Sequence, residues 1–219
     1  MTDRTHRYVS LFWSAVVLLL GPACAPPPPP EPPAPAVVVP APEPLTEAEI
    51  DAATVLLRLE DRREFDDTLL AAFTLASEGP VRARTALAAG RIGTHAASQV
   101  VRYLLIDTDT AVAAAAAFMA GQLRDTASTN YLATFLDLEF ATARPTVAAE
   151  AAGALGKIGT PEARSIIAGF LCSADGRDPR LLPVIAEALI ASWRAGESDV
   201  QLYPEWLAHD DPDIRWRAV

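Results

Sequence analysis

The chain has 219 residues, half of them (51%) hydrophobic, and a positive mean hydropathy. That is ample apolar surface for one folded domain and excludes an intrinsically disordered protein. A formal charge of -10 with no basic cluster argues against nucleic acid, because polyanions are held by neutralising their phosphates. One lysine beside 17 arginines, with abundant alanine, reflects a GC-rich coding sequence rather than a function.

The first 24 residues read as an export signal, with Arg4 and Arg7 ahead of an apolar run from Tyr8 to Leu20 and then Gly21-Pro22-Ala23-Cys24. The run is shorter than the roughly 20 residues that span a bilayer. Ala23 and Cys24 match a bacterial lipobox, which predicts lipidation of Cys24, although Gly21 stands where that pattern has a bulky aliphatic. Ordinary secretion after cleavage at Ala23-Cys24-Ala25 is the alternative, and it leaves Pro26 in a position that signal peptidase accepts poorly. With Cys24 lipidated, Cys172 has no disulfide partner, and its place after Phe170 and Leu171 predicts a buried small hydrophobe.

Residues 25–44 include eleven prolines, interrupted only by Ala, Val and Glu. Such a stretch favours extended polyproline II at about 3.1 Å per residue and reads as a spacer of about 60 Å. A proline-rich ligand for an aromatic groove is the sharper alternative. The predicted organisation is thus a signal peptide over 1–24, a tether over 25–44 and a folded domain over 45–219.

The folded part should begin at Thr46-Glu47-Ala48-Glu49, which has capping-box spacing. A motif that starts at Val81 returns at Val112 and Val147, 31 and 35 residues apart, with small residues four and five places on, Gly at plus nine and Ile or Leu at plus eleven. Downstream, Val100-Val101 and Leu104-Leu105 recur as Tyr131-Leu132 and Phe135-Leu136, then as Ile166-Ile167 and Phe170-Leu171, at the same two offsets. Two apolar patterns of helical period that shift together predict an all-α fold: an α-solenoid of antiparallel helix pairs. Ala113 to Ala117, Ala148, Ala149, Ala151 and Ala152, with Gly121 and Gly156, allow close helix approach. Gly93 and Gly159 should close helices in the left-handed conformation, whereas Arg124 at that place predicts a different closure in the middle copy.

Counting back 31 residues puts Ile50, Thr54 and Val55 on the pattern of a degenerate first unit. Counting forward, Leu181, Ile185 and Ala186 begin a fifth unit with Ile190 at the glycine place, and Pro204 interrupts its second helix. Ile214 then begins a sixth unit that is six residues long at Val219. An uncapped last repeat exposes its core face, so the expectation is that this sequence is the N-terminal part of a longer protein.

The units Ala89-Gly90-Arg91-Ile92-Gly93-Thr94, Ala120-Gly121-Gln122-Leu123 and Ala152-Gly153-Ala154-Leu155-Gly156-Lys157-Ile158-Gly159-Thr160 resemble HEAT repeats, specifically the short HEAT-like repeats first associated with phycobilisome lyases. The resemblance covers Ile50 to Val219 and implies about five helix-pair repeats plus a truncated sixth. Exported bacterial proteins similar to this one include some that end in a cyclophilin-type peptidyl-prolyl isomerase domain; none of that domain's catalytic motif is present, so the activity would lie beyond Val219. A bilin lyase role is opposed by export and by the lack of a suitable cysteine or basic pocket.

No catalytic, cofactor or metal site is legible. His6, His95 and His209 are not paired at metal spacing, and His209-Asp210 reads as a solvated turn and cap. Asp107, Asp109, Asp125, Asp137, Asp175 and Asp178 fall in turns, where capping accounts for them. The expected function is therefore a non-catalytic protein-binding scaffold on an exported protein, anchored to a membrane through Cys24. Its binding face is assigned to the outward positions Gln99, Arg102, Tyr103, Asn130, Thr134 and Ser165; solvated surface residues with no partner are the plain alternative.

Overall fold

The computed structural model describes residues 44–196 and 204–219. The leader, Cys24 and the proline-rich stretch up to residue 43 lie outside them. Every regular element among the described residues is helical: α1 (Glu47–Arg62), α2 (Asp67–Thr74), α3 (Gly79–Ile92), α4 (His95–Leu105), α5 (Thr110–Gln122) and, after a 3-10 turn (Thr126–Ser128), α6 (Thr129–Phe135). Then follow α7 (Leu138–Ala143), α8 (Pro145–Ile158), α9 (Pro161–Ser173), α10 (Leu182–Arg194), α11 (Pro204–Leu207) and α12 (Pro212–Arg217). None of them is long and apolar enough to cross a membrane.

Local chemistry sets the helix ends. Thr46 and Glu49 form the expected capping box, each satisfying the other's free backbone N–H. Thr94, Asp109 and Thr160 cap α4, α5 and α9 through side-chain oxygens, and Pro145 and Pro161 occupy first-turn positions that need no N–H donor. Pro204 heads the short α11.

Helices α1, α3, α5, α8, α10 and α12 touch one another in succession, and α2, α4, α6, α9 and α11 pack against that row. The third residues of α3, α5, α8, α10 and α12 are Val81, Val112, Val147, Val184 and Ile214, all buried. Gly90, Gly121 and Gly156 sit nine residues after the first three, and each faces the helix that follows in the row. A Cβ on Gly90 would lie 2.7 Å from Cβ of Met119, on Gly121 2.6 Å from Cα of Ala154, and on Gly156 2.6 Å from Cα of Ala191. Met119, Ala154 and Ala191 are each seven residues after their own buried valine, so one contact geometry recurs three times.

This register corrects two expectations. The fifth helix of the row is keyed by Val184 rather than Leu181, and the glycine place belongs to Trp193, 72% exposed, rather than Ile190. Leu181 and Ile185 are buried as well, because a three-residue slip turns the helix by only about 60°. In α1 the buried residues are Ala52, Leu56 and Leu59, whereas Ile50 is 51% exposed. A fixed spacing of 31 misplaced that helix by two residues, about 200° of rotation, which is the opposite face.

Gly93 and Gly159 take the left-handed conformation, at φ 75° and 67°. Arg124 also adopts it, at φ 50°, so the middle copy closes with the same backbone hand, contrary to the expected difference. What differs is the hydrogen bonding. Arg124 N–H reaches Gly121 O and Asp125 N–H reaches Ala120 O, a Schellman pair, where Gly93 and Gly159 use single bonds to Ala89 O and Leu155 O. The additional bond offsets the cost of a left-handed β-carbon.

Cys172 is exposed, not buried as expected, because the side of α9 that packs carries Ile167, Phe170 and Leu171 instead. His209 is a half-buried clamp rather than a solvated turn residue. Its Nδ1 accepts from Asp211 N–H at 3.0 Å, so Nε2 carries the proton and donates to Gly176 O at 2.9 Å.

Candidate functional site

Helix α4 presents two of the expected binding residues to a groove. Its apolar stripe buries Val101, Leu104 and Leu105, which turns Ala96, Gln99, Val100 and Tyr103 toward α2. On the other wall stand Phe65, Ala71 and Leu75, and together they enclose a groove of about 490 Å3. Tyr103 is 55% exposed, Leu75 71% and Ile106 65%. Leu75 and Tyr103 also line an adjoining hollow with Ile106, Arg82, Asp107 and Thr108. Tyr103 therefore stands on a ridge between two depressions, with large apolar side chains on both sides.

The second hollow is tied together by an ion pair. Arg82 pairs with Asp107 through Nε–Oδ2 at 2.7 Å and Nη2–Oδ1 at 3.0 Å, and its Nη1 donates to Ala76 O and Ser77 O. The hydrogen bonds from Arg82 hold the Asp107 carboxyl below the usual carboxylate range, against a desolvation effect that pushes it up. One guanidinium thus ties α3 to the segments that follow α2 and α4.

The remaining expected residues lie elsewhere. Arg102 is half-buried and bonded to Asp125 at 2.7 Å, and the same carboxylate oxygen accepts from Ser128 Oγ. That arginine joins α4 to the turn before α6. Asn130 is exposed on α6. Thr134 and Ser165 are exposed too, yet their hydroxyls donate back to Tyr131 O and Pro161 O. None of Asn130, Thr134 and Ser165 lines the groove. Cys24 lies outside the described residues.

Phe65, Leu75 and Ile106 were not anticipated. Ile106 continues the apolar run of α4 one residue past its last buried pair, and Leu75 ends α2; in sequence both are indistinguishable from core residues. Among the described residues no group of three His, Cys, Asp or Glu side chains is placed to hold a metal ion. No family model matches the chain, and no curated protein matches it.

Proposed function

We propose that this chain is an α-solenoid of HEAT-like repeats, built from antiparallel helix pairs, that acts as a non-catalytic protein-binding scaffold through the surface around Tyr103. One observation carries the reading: Tyr103, flanked by exposed Leu75 and Ile106, rises between two hollows, the second of which is lined by the paired Arg82 and Asp107. Exposed aromatic and apolar side chains on a rigid base are what binding hot spots require, since little entropy remains to be lost on association. The repeated valine register and the recurring glycine contacts support the solenoid, because a stack of like units buries each helix against its neighbour in one geometry. The lipobox-like Ala23-Cys24 and the proline-rich stretch support an exported protein held at a membrane by lipid on Cys24.

A photo-crosslinking residue placed at Gln99 of the full chain, in the cells that make it, should trap a discrete protein. Tyr103→Ala should remove that adduct while circular dichroism stays unchanged, since an anchoring tyrosine contributes about 2 kcal/mol or more to binding. An adduct of equal yield from a probe at Gln122, or one that survives Tyr103→Ala, would sink the assignment. Fatty-acid labelling that persists after Cys24→Ala would remove the lipid anchor.

A further inference from the structure

A second groove, of about 590 Å3, lies across α8, α10 and α12 on the row of helices that carries the valine register. On α8 and α10 its polar side chains follow the repeat, whereas on α12 the place three residues after Ile214 holds Arg217, which pairs with Asp213. Three residues after the buried valine stand Glu150 on α8 and Glu187 on α10; ten residues after it stand Lys157 and Arg194. On these two helices acids thus share one level and cations another, seven residues or about 10 Å further along the helix axes.

The two helices satisfy these charges differently. On α10 the pair closes on itself, with Arg194 Nη1 2.9 Å from Glu187 Oε1. On α8 it stays open. Lys157 is drawn over the Phe118 ring, its Nζ 4.5 Å from the ring centroid, and among the described residues no carboxylate lies within ion-pair distance. Glu150 makes no hydrogen bond or ion pair among the described residues, although both residues are half-buried. Burial accordingly raises the Glu150 carboxyl, and burial with the nearby Arg194 charge lowers the Lys157 ammonium. At the other end of the row the same two repeat places hold Arg84 and Arg91, and there Glu60 of α1 pairs with both. Two opposite charges that are desolvated and unpaired on one helix are costly unless something bridges them.

We propose that this groove binds a short extended peptide segment carrying a positive and a negative group about 10 Å apart, the positive group on Glu150 and the negative one on Lys157. Three residues fully extended span about that distance, so a tripeptide with free termini has the required length. Ala149, Leu182, Pro183 and Ala186 supply the apolar wall against which its backbone lies. Glu187 and Arg194, paired with each other, line the same groove on α10.

The test uses the full chain and tri-alanine as the probe, by calorimetry or amide shift titration. Free tri-alanine should bind, and Lys157→Met and Glu150→Gln should each weaken it about tenfold, the loss of one charge-assisted hydrogen bond. Helicity and melting temperature monitor the fold of each variant, and Gln122→Ala, outside the groove, should leave the affinity unchanged. The proposal is overturned if acetylated, amidated tri-alanine binds as well, if alanine alone binds as tightly, or if no shift appears at any of these residues at millimolar peptide. Because Tyr103 lies on a different surface, crosslinking at Gln99 is unaffected by either outcome.

Discussion

Gly156 lies so close to Ala191 that a β-carbon on the glycine would stand 2.6 Å from the alanine Cα. Backbone of α10 cannot yield as the end of a flexible side chain would, so the approach of α8 to α10 depends on the missing methyl. Gly156→Ala and Gly121→Ala should each destabilise the fold by about 1–3 kcal/mol through overpacking. Gly169, in the interior of α9, has nothing within 4 Å of the corresponding position. There the same change should stabilise by about 0.5–1 kcal/mol, as alanine does in an open helix. Urea melts of the three variants check the contrast, and equal effects would mean that the glycines are not spacers.

Arg124 holds a left-handed backbone at φ 50° that Gly93 and Gly159 occupy without a β-carbon. Replacing it with glycine removes about 1 kcal/mol of steric cost, partly offset by greater freedom of the unfolded chain. Arg124→Gly should therefore be neutral or slightly stabilising, and Gly159→Ala destabilising by about 1 kcal/mol. Thermal melts that rank the two the other way would count against this account of the turn.

The pair Arg82–Asp107 predicts a pH dependence with a definite sign. Hydrogen bonds from Arg82 lower the folded pKa of Asp107, so the stabilisation is fully present above the unfolded carboxylate value of about 4 and is lost as pH falls through the folded one. Asp107→Asn should cost about 1.5–3 kcal/mol at pH 7, with the difference from the parent shrinking below about pH 4. Chemical denaturation at pH 7 and pH 3 measures it; a difference that grows on acidification contradicts the pairing.

Cys172 is exposed at the end of α9. A thiol reagent added to the native protein should modify it, as read by mass spectrometry of the Cys172 peptide, at a rate within a few-fold of that in denaturant. Protection by orders of magnitude would put the thiol back in the core.

Helix starts, closing glycines and the alternation of two apolar patterns were legible because each is a local property. A cap acts within one turn, as Thr46 does on Glu49, and an amphipathic period is written within a dozen residues. Gln99 and Tyr103 could be found the same way, since they are what α4 leaves over once its stripe is buried. The other wall of their groove, Phe65 and Leu75, could not, because apolar residues that end a helix read as core until their neighbours are known.

The sequence by itself determined that the described chain is helical, where many of its helices begin and end, and which valines and glycines recur. Tertiary structure alone decided the phase of the outer units, where linkers of unequal length break a fixed count, moving burial from Ile50 to Ala52 and the register position from Leu181, itself buried, to Val184. It likewise decided the fate of the charges: Arg102 is occupied by Asp125, 23 residues away, while Lys157 and Glu150 on one helix remain apart. Pairing over such distances depends on how neighbouring helices stack, and no residue's own helix carries that information.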